Sequence, residues 1–233
     1  MTAFGSVDAA RLASLATGRG GVPNAEEWPI VLGLLAILAL IGTRVLIAVG
    51  LTKVEALLVA ALAPLLVLVD APLGRLSPDV SLAANLAGCL IPGAVAIKVL
   101  LEGRIPLAEA FFLIGIGVVV SYFSSHVVPD RGVLLQYRIP SLVVGVLAAG
   151  LLFREPDRSG AAGFMAGALG VIIGADLLHL SELSTGAGRV VLGGAGLLDG
   201  ILLVAILAAA IAELVAMTLR TVVKTRAPAR PTA

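Results

Sequence analysis

The stretch LDGILLVAILAAAIAELVAMTL, Leu198–Leu219, decides the fold class: 22 residues carry two acids, no base and no proline. A helix rising about 1.5 Å per residue needs roughly 20 such residues to cross a bilayer core of about 30 Å. Working outward, the same apolar texture recurs. Segments near 28–50, 54–70, 80–101, 107–124, 140–153, 160–178 and 198–219 each read as a span, about seven in all, with six or eight as alternatives. The run at 140–153 is short, and 125–139 and 181–197 are long and contain glycine or charge, which admits re-entrant or interfacial pieces there. The expectation is an all-α polytopic membrane protein.

Composition agrees. Of 233 residues 59% are hydrophobic, 13% charged and 4% aromatic, and the mean hydropathy of +1.10 lies far above that of a soluble domain. Seven spans leave only short loops and two tails, so no soluble catalytic domain fits. A net charge of +1 without a basic tract removes the electrostatic footprint of nucleic-acid binding. The single cysteine, Cys89, excludes an intrachain disulfide, and with two histidines it argues against a structural zinc site; no cofactor motif is present. The implied partners are the lipid bilayer and a small solute or ion, with a homo-oligomer as a further option.

Residues 1–27 lack a cationic start followed by an apolar run, so they read as a flexible or interfacial tail rather than a cleavable signal. The transmembrane domain is expected over 28–220, followed by a basic tail at 221–233. Arg220, Lys224, Arg226 and Arg230, joined by Arg44, Lys53, Lys98, Arg104, Arg154 and Arg158, put ten cations on one side. Arg11, Arg19, Arg75, Arg131, Arg138 and Arg189 put six on the other. That bias orients the chain in the cell (inner) membrane with the N-terminus outside and the C-terminus cytoplasmic.

An internal repeat is visible. Pro29-Ile-Val-Leu-Gly33 resembles Pro140-Ser-Leu-Val-Val-Gly145, Val69-Asp70 aligns with Ala175-Asp176, and Ala87-Gly88 aligns with Ala195-Gly196, at offsets of 111 to 112, then 106, then 108. This predicts two parallel three-helix repeats, about 28–104 and 140–220, joined by a linker helix at about 107–124. Chance similarity among Gly-, Ala- and Leu-rich helices is the competing reading. The layout is similar to that of small sugar transporters built from paired three-helix bundles. Because the Pro-Gln pair of that group is absent after Pro29 and Pro140, no substrate is implied.

Asn85-Leu-Ala-Gly88-Cys-Leu-Ile-Pro92, Gly174-Ala-Asp176-Leu-Leu and Gly193-Gly-Ala-Gly196-Leu-Leu-Asp199-Gly200-Ile resemble elements of a bacterial and archaeal membrane family known as domain of unknown function 1614. The resemblance covers about 30 to 215. It implies a polytopic membrane protein and brings no activity with it.

The candidate chemistry lies in the membrane carboxylates. Asp176 ends span 6 and Asp199 begins span 7, so a hairpin brings the two together, where they would share a proton. Asp199 is alternatively a helix cap, whereas at Asp176 the helix dipole opposes a negative charge. Glu213 lies 14 residues after Asp199, on the same helix face, and either lines a polar route or pairs with Arg44 or Lys98. Asp70 is the repeat equivalent of Asp176. Asn85 offers uncharged donors and an acceptor, Pro92 is expected to bend span 3, and Gly193, Gly194, Gly196 and Gly200 either unwind backbone around a site or permit close packing. Gly163, Gly167, Gly170 and Gly174 mark one face of span 6 for close helix approach, and Asp176 falls on the opposite face, so span 6 is either packed on both sides as a central helix or ends just before Asp176 with the acid facing water. His126 and His179 read as solvated loop residues, with a position beside Asp176 as the alternative for His179. These features point to a transporter or channel binding a proton, cation or polar solute. Two alternatives stay open: an intramembrane aspartyl protease, whose Gly-x-Gly segment is here separated from Asp199 by two leucines, and a non-catalytic membrane scaffold.

Overall fold

The computed structural model describes residues 28–66, 68–128, 132–152, 155–183, 188–193 and 200–226. The chain runs α1 (Trp28–Val49), α2 (Lys53–Leu66), β1 (Asp70–Ser77), β2 (Val80–Asn85), a π-helical turn (Leu86–Leu90) and α3 (Ile91–Leu101). It continues through α4 (Leu107–Ser124), β3 (Ser125–Val128), β4 (Gly132–Leu135), α5 (Arg138–Leu152) and α6 (Pro156–Val171). A second π-helical turn (Ile172–Leu177), α7 (Leu180–Leu183), β5 (Gly188–Leu192) and α8 (Gly200–Arg226) complete it.

The protein is mostly helical, and three helical stretches among the described residues are long and apolar enough to cross a membrane: Leu107–Ser124, Arg158–Leu177 and Ile201–Thr225. Their burial differs in a way that ranks them. The Arg158–Leu177 stretch is 72% buried inside the protein, against 33% and 39% for the other two, so α6 is the central helix. Small side chains make this possible. A Cβ on Gly163 would lie 2.7 Å from the Ala208 carbonyl oxygen and one on Gly167 3.1 Å from Ala205 Cα, so α8 runs antiparallel against that part of α6. A Cβ on Gly170 would lie 2.7 Å from Gly117 Cα, and one on Gly174 would collide with the Val118 carbonyl, so α4 crosses the far end. The glycine face expected for one neighbour thus serves two. Close backbone approach of this kind replaces the hydrophobic driving force that helices lack within lipid.

The all-α expectation needs correction. Residues 80–85, expected as the start of a span, form β2, which pairs antiparallel with β1, from Asp70 opposite Asn85 to Ser77 opposite Val80. On its other side β2 pairs in parallel with β5, from Val80 opposite Gly188 to Ala84 opposite Leu192, a constant offset of 108 residues. Segment 125–139 holds a second antiparallel pair, β3 with β4. Six-residue apolar runs satisfy strand and buried-helix patterns alike, and only pairing partners far along the chain decide between them. α8 also continues to Arg226, so the first six residues of the expected basic tail are helical.

Candidate functional site

The sheet β1–β2–β5 gathers the polar groups at one end of the bundle. Asn85 closes β2 in an extended conformation (φ −72°, ψ 135°) and caps the first π-helical turn, its Oδ1 accepting the Gly88 N–H at 2.9 Å. Its amide nitrogen donates to Asp70 Oδ1 at 2.8 Å and to the Val69 carbonyl at 3.4 Å. The second Asp70 oxygen is engaged by Arg189 of β5 at 3.0 Å. Asn85 is 2% exposed, and the Asp70 and Arg189 side chains 24% and 54%. The chain Arg189–Asp70–Asn85–Gly88 therefore leads from solvent to buried backbone and ties β5 to the start of α3.

A second carboxylate sits nearby in the chain's topology. Asp176, in the second π-helical turn, accepts the Gly193 N–H on Oδ2 at 2.9 Å. Gly193 has φ +68°, and a Cβ there would lie 2.7 Å from Gly88 C and 2.8 Å from Cys89 N, so this segment crosses the backbone of Gly88 and Cys89 directly. Only glycine meets both demands. Both aspartates contact the residue just past the last β2–β5 pair: Asp70 the side-chain amide of Asn85, after Ala84, and Asp176 the backbone N–H of Gly193, after Leu192.

His179 corrects the expectation of a solvated loop residue. It is 5% exposed, its Nδ1–H donates to the Ala175 carbonyl at 2.9 Å, and its ring stacks on Tyr122 of α4 with centroids 4.8 Å apart. His126 lies exposed in β3.

Of the remaining expected site residues, Asp199, Gly194 and Gly196 lie outside the described residues, and with Asp199 the expected Asp176–Asp199 pair; Gly200 opens α8. Pro92, expected to bend span 3, lies just past the first π-helical turn. It is the second residue of α3 but lies inside the continuous helical stretch Leu86–Leu101. Immediately before it the helix is widened, with Ile91 N–H donating to the Leu86 carbonyl five residues back, which eases the clash of a proline ring with the preceding turn. Glu213 is partly buried in α8 beside Gly160 of α6. Lys98 is not its partner: Lys98 Nζ contacts Glu55 at 2.9 Å and Glu102 at 3.8 Å. Among the described residues, no group of three His, Cys, Asp or Glu is placed to hold a metal ion.

Sequence reasoning missed Arg189 and the Tyr122–His179 stack. The signal for Arg189 was its place in a short β-branched run, Arg189-Val-Val-Leu, after a glycine; the stack joins positions 57 residues apart and left no local trace.

The fold and site define a class: a mostly helical protein with, among the described residues, three helices long and apolar enough to cross a membrane, and carboxylates held where small sheets cover one end of the bundle. The chain belongs to the family described as protein of unknown function (DUF1614), whose model matches residues 40–211. No curated protein and no solved structure matches the chain.

Proposed function

We propose that the protein is a small multi-pass membrane transporter or channel whose carboxylates at the sheet end bind a proton, a cation or a polar solute. Asp176 carries the reading. It is a carboxylate at the end of the most buried spanning-length helix, in a π-helical turn, with a backbone N–H as its hydrogen-bond partner. An ionised group within a span costs at least roughly 2.5–3.5 kcal/mol on insertion scales, and π-turns concentrate at functional positions. The scaffold alternative drew on glycine faces available for assembly, but the glycines of α6 are occupied by α8 and α4 of the same chain.

The reading includes seven spans arranged as two parallel repeats, 28–104 and 140–220, around α4. The 108-residue offset of the β2–β5 register supports it, because it equals the offset aligning Ala87-Gly88 with Ala195-Gly196. The reading also places the N-terminus outside and the C-terminus in the cytoplasm of a cell (inner) membrane. In its favour, Lys53 at the start of α2 and Lys98 at the end of α3 lie on helix ends remote from the sheet.

Flux in reconstituted vesicles tests the proposal, read with an entrapped pH dye under a proton gradient and separately under Na⁺ and K⁺ gradients. Asp176→Asn and Asp199→Asn, made singly, abolish the flux of the wild type while leaving thermal stability nearly intact, since asparagine keeps the size and capping capacity of aspartate. Unchanged flux in both variants, or none in the wild type, contradicts the proton and cation forms of the reading.

A further inference from the structure

We infer that residues 188–193, β5 with Gly193, form a hinged strap that covers the buried Gly88–Cys89 backbone and opens as a unit when its two carboxylate anchors release it. The strap is held at both ends by aspartates from elsewhere in the chain: Arg189 on Asp70 at 3.0 Å, and the Gly193 N–H on Asp176 at 2.9 Å. Between the anchors it is, among the described residues, bonded along one edge only, as the outer strand of the sheet, through a five-residue parallel ladder with β2. Parallel pairing is the weaker kind, and short segments with few buried contacts open at the low end of a protein's stability range. Glycines with positive φ stand at each end, Gly188 at +129° and Gly193 at +68°, where a backbone can absorb a hinge rotation.

What lies beneath is specific. Leu192, 5% exposed, is the apolar plug of the strap, and Gly193 presses on Cys89, itself 7% exposed and the chain's single cysteine. Opening the strap frees one oxygen of Asp70 and one of Asp176 together and exposes the Cys89 thiol. The inference rests on the transport reading only for what the opening serves.

Cys89 makes the motion measurable. The reconstituted protein is treated with a membrane-impermeant methanethiosulfonate, and the rate of Cys89 modification is compared among variants. Arg189→Gln, which leaves every buried group in place, raises the rate several-fold. Combined with Asp176→Ala it raises the rate roughly tenfold or more, as loss of charge-assisted hydrogen bonds from a local opening equilibrium requires. A control thiol, Val144→Cys in a Cys89→Ala background, sits on α5 at 0% exposure and keeps its slow rate throughout. An unchanged Cys89 rate in both variants overturns the strap, as does an equal rise at position 144, which means that the whole bundle has loosened. Faster Cys89 labelling in a protein that shows no flux retains the strap and removes the transport reading; flux with unaltered labelling does the reverse.

Discussion

At the scale of the residue, two kinds of position carry the account: glycines that fix helix distance and charges that fix helix ends. Alanine at Gly170 would put a methyl 2.7 Å from the Gly117 backbone, and at Gly163 2.7 Å from the Ala208 carbonyl. Neither neighbour is a side chain that can swing away, so each substitution lowers thermal stability in detergent by about 1–3 kcal/mol. Gly115 and Gly150 have open space where a Cβ would go, and alanine there is neutral or slightly stabilising. A melting series of the four variants checks this; equal losses at all four contradict the assigned crossings. Glu55 gives a further prediction. Its carboxylate takes the Lys98 ammonium at 2.9 Å and the Thr52 backbone N–H at 2.8 Å, so Glu55→Gln lowers thermal stability by up to about 1 kcal/mol, and an unchanged melting temperature in the variant contradicts the pairing.

The residue scale also shows how much of the site was legible. Asp176 and Asp70 stand out in sequence because a carboxylate flanked by apolar residues needs a reason. Asn85 stands out beside them as an amide among alanines and leucines. Their partners were not legible, since Arg189 is 119 residues from Asp70 and is brought to it by a strand register rather than a local spacing. Lys98 illustrates the converse: charge alone allowed Glu213 as its partner, and the fold supplies Glu55 and Glu102.

At the scale of the element, the break at Asn85 separates what patterning can and cannot resolve. The apolar run 80–101 contains no charge before Lys98, so hydropathy reads it as one span. The structure divides it because Asn85 can cap the following turn while also binding Asp70, a choice that depends on where β1 places that aspartate. α4, by contrast, matches its expected limits of 107–124, being bounded by Pro106 on one side and a run of serines on the other. If Asn85 is the joint between strand and helix, Asn85→Ala leaves the Gly88 N–H without its cap and removes a donor from Asp70. It should cost about 1–3 kcal/mol of thermal stability. Asn85→Asp keeps the cap but sets a second carboxylate against Asp70, so the loss is greater at pH 8 than at pH 4, where protonation relieves the repulsion. A melting comparison at the two pH values decides it; no pH dependence contradicts the direct Asp70 contact.

At the scale of the whole molecule, everything turns on which end of the bundle faces which side. The described helices separate two chemistries. One end holds the ion pairs of Glu55, Lys98, Glu102 and Arg104 around the α1–α2 and α3–α4 connections, and the other holds the sheets with Asp70, Asn85 and Arg189. Under the proposed topology the sheet end is external, and an odd number of crossings separates it from the C-terminus. Paired reporter fusions measure this most directly, one following Arg230 and one near Gly188, each scored in cells for cytoplasmic or external activity. Cytoplasmic activity after Arg230 and external activity near Gly188 are expected, whereas cytoplasmic activity at Gly188 contradicts the orientation, and cytoplasmic activity at both points contradicts the odd number of crossings as well.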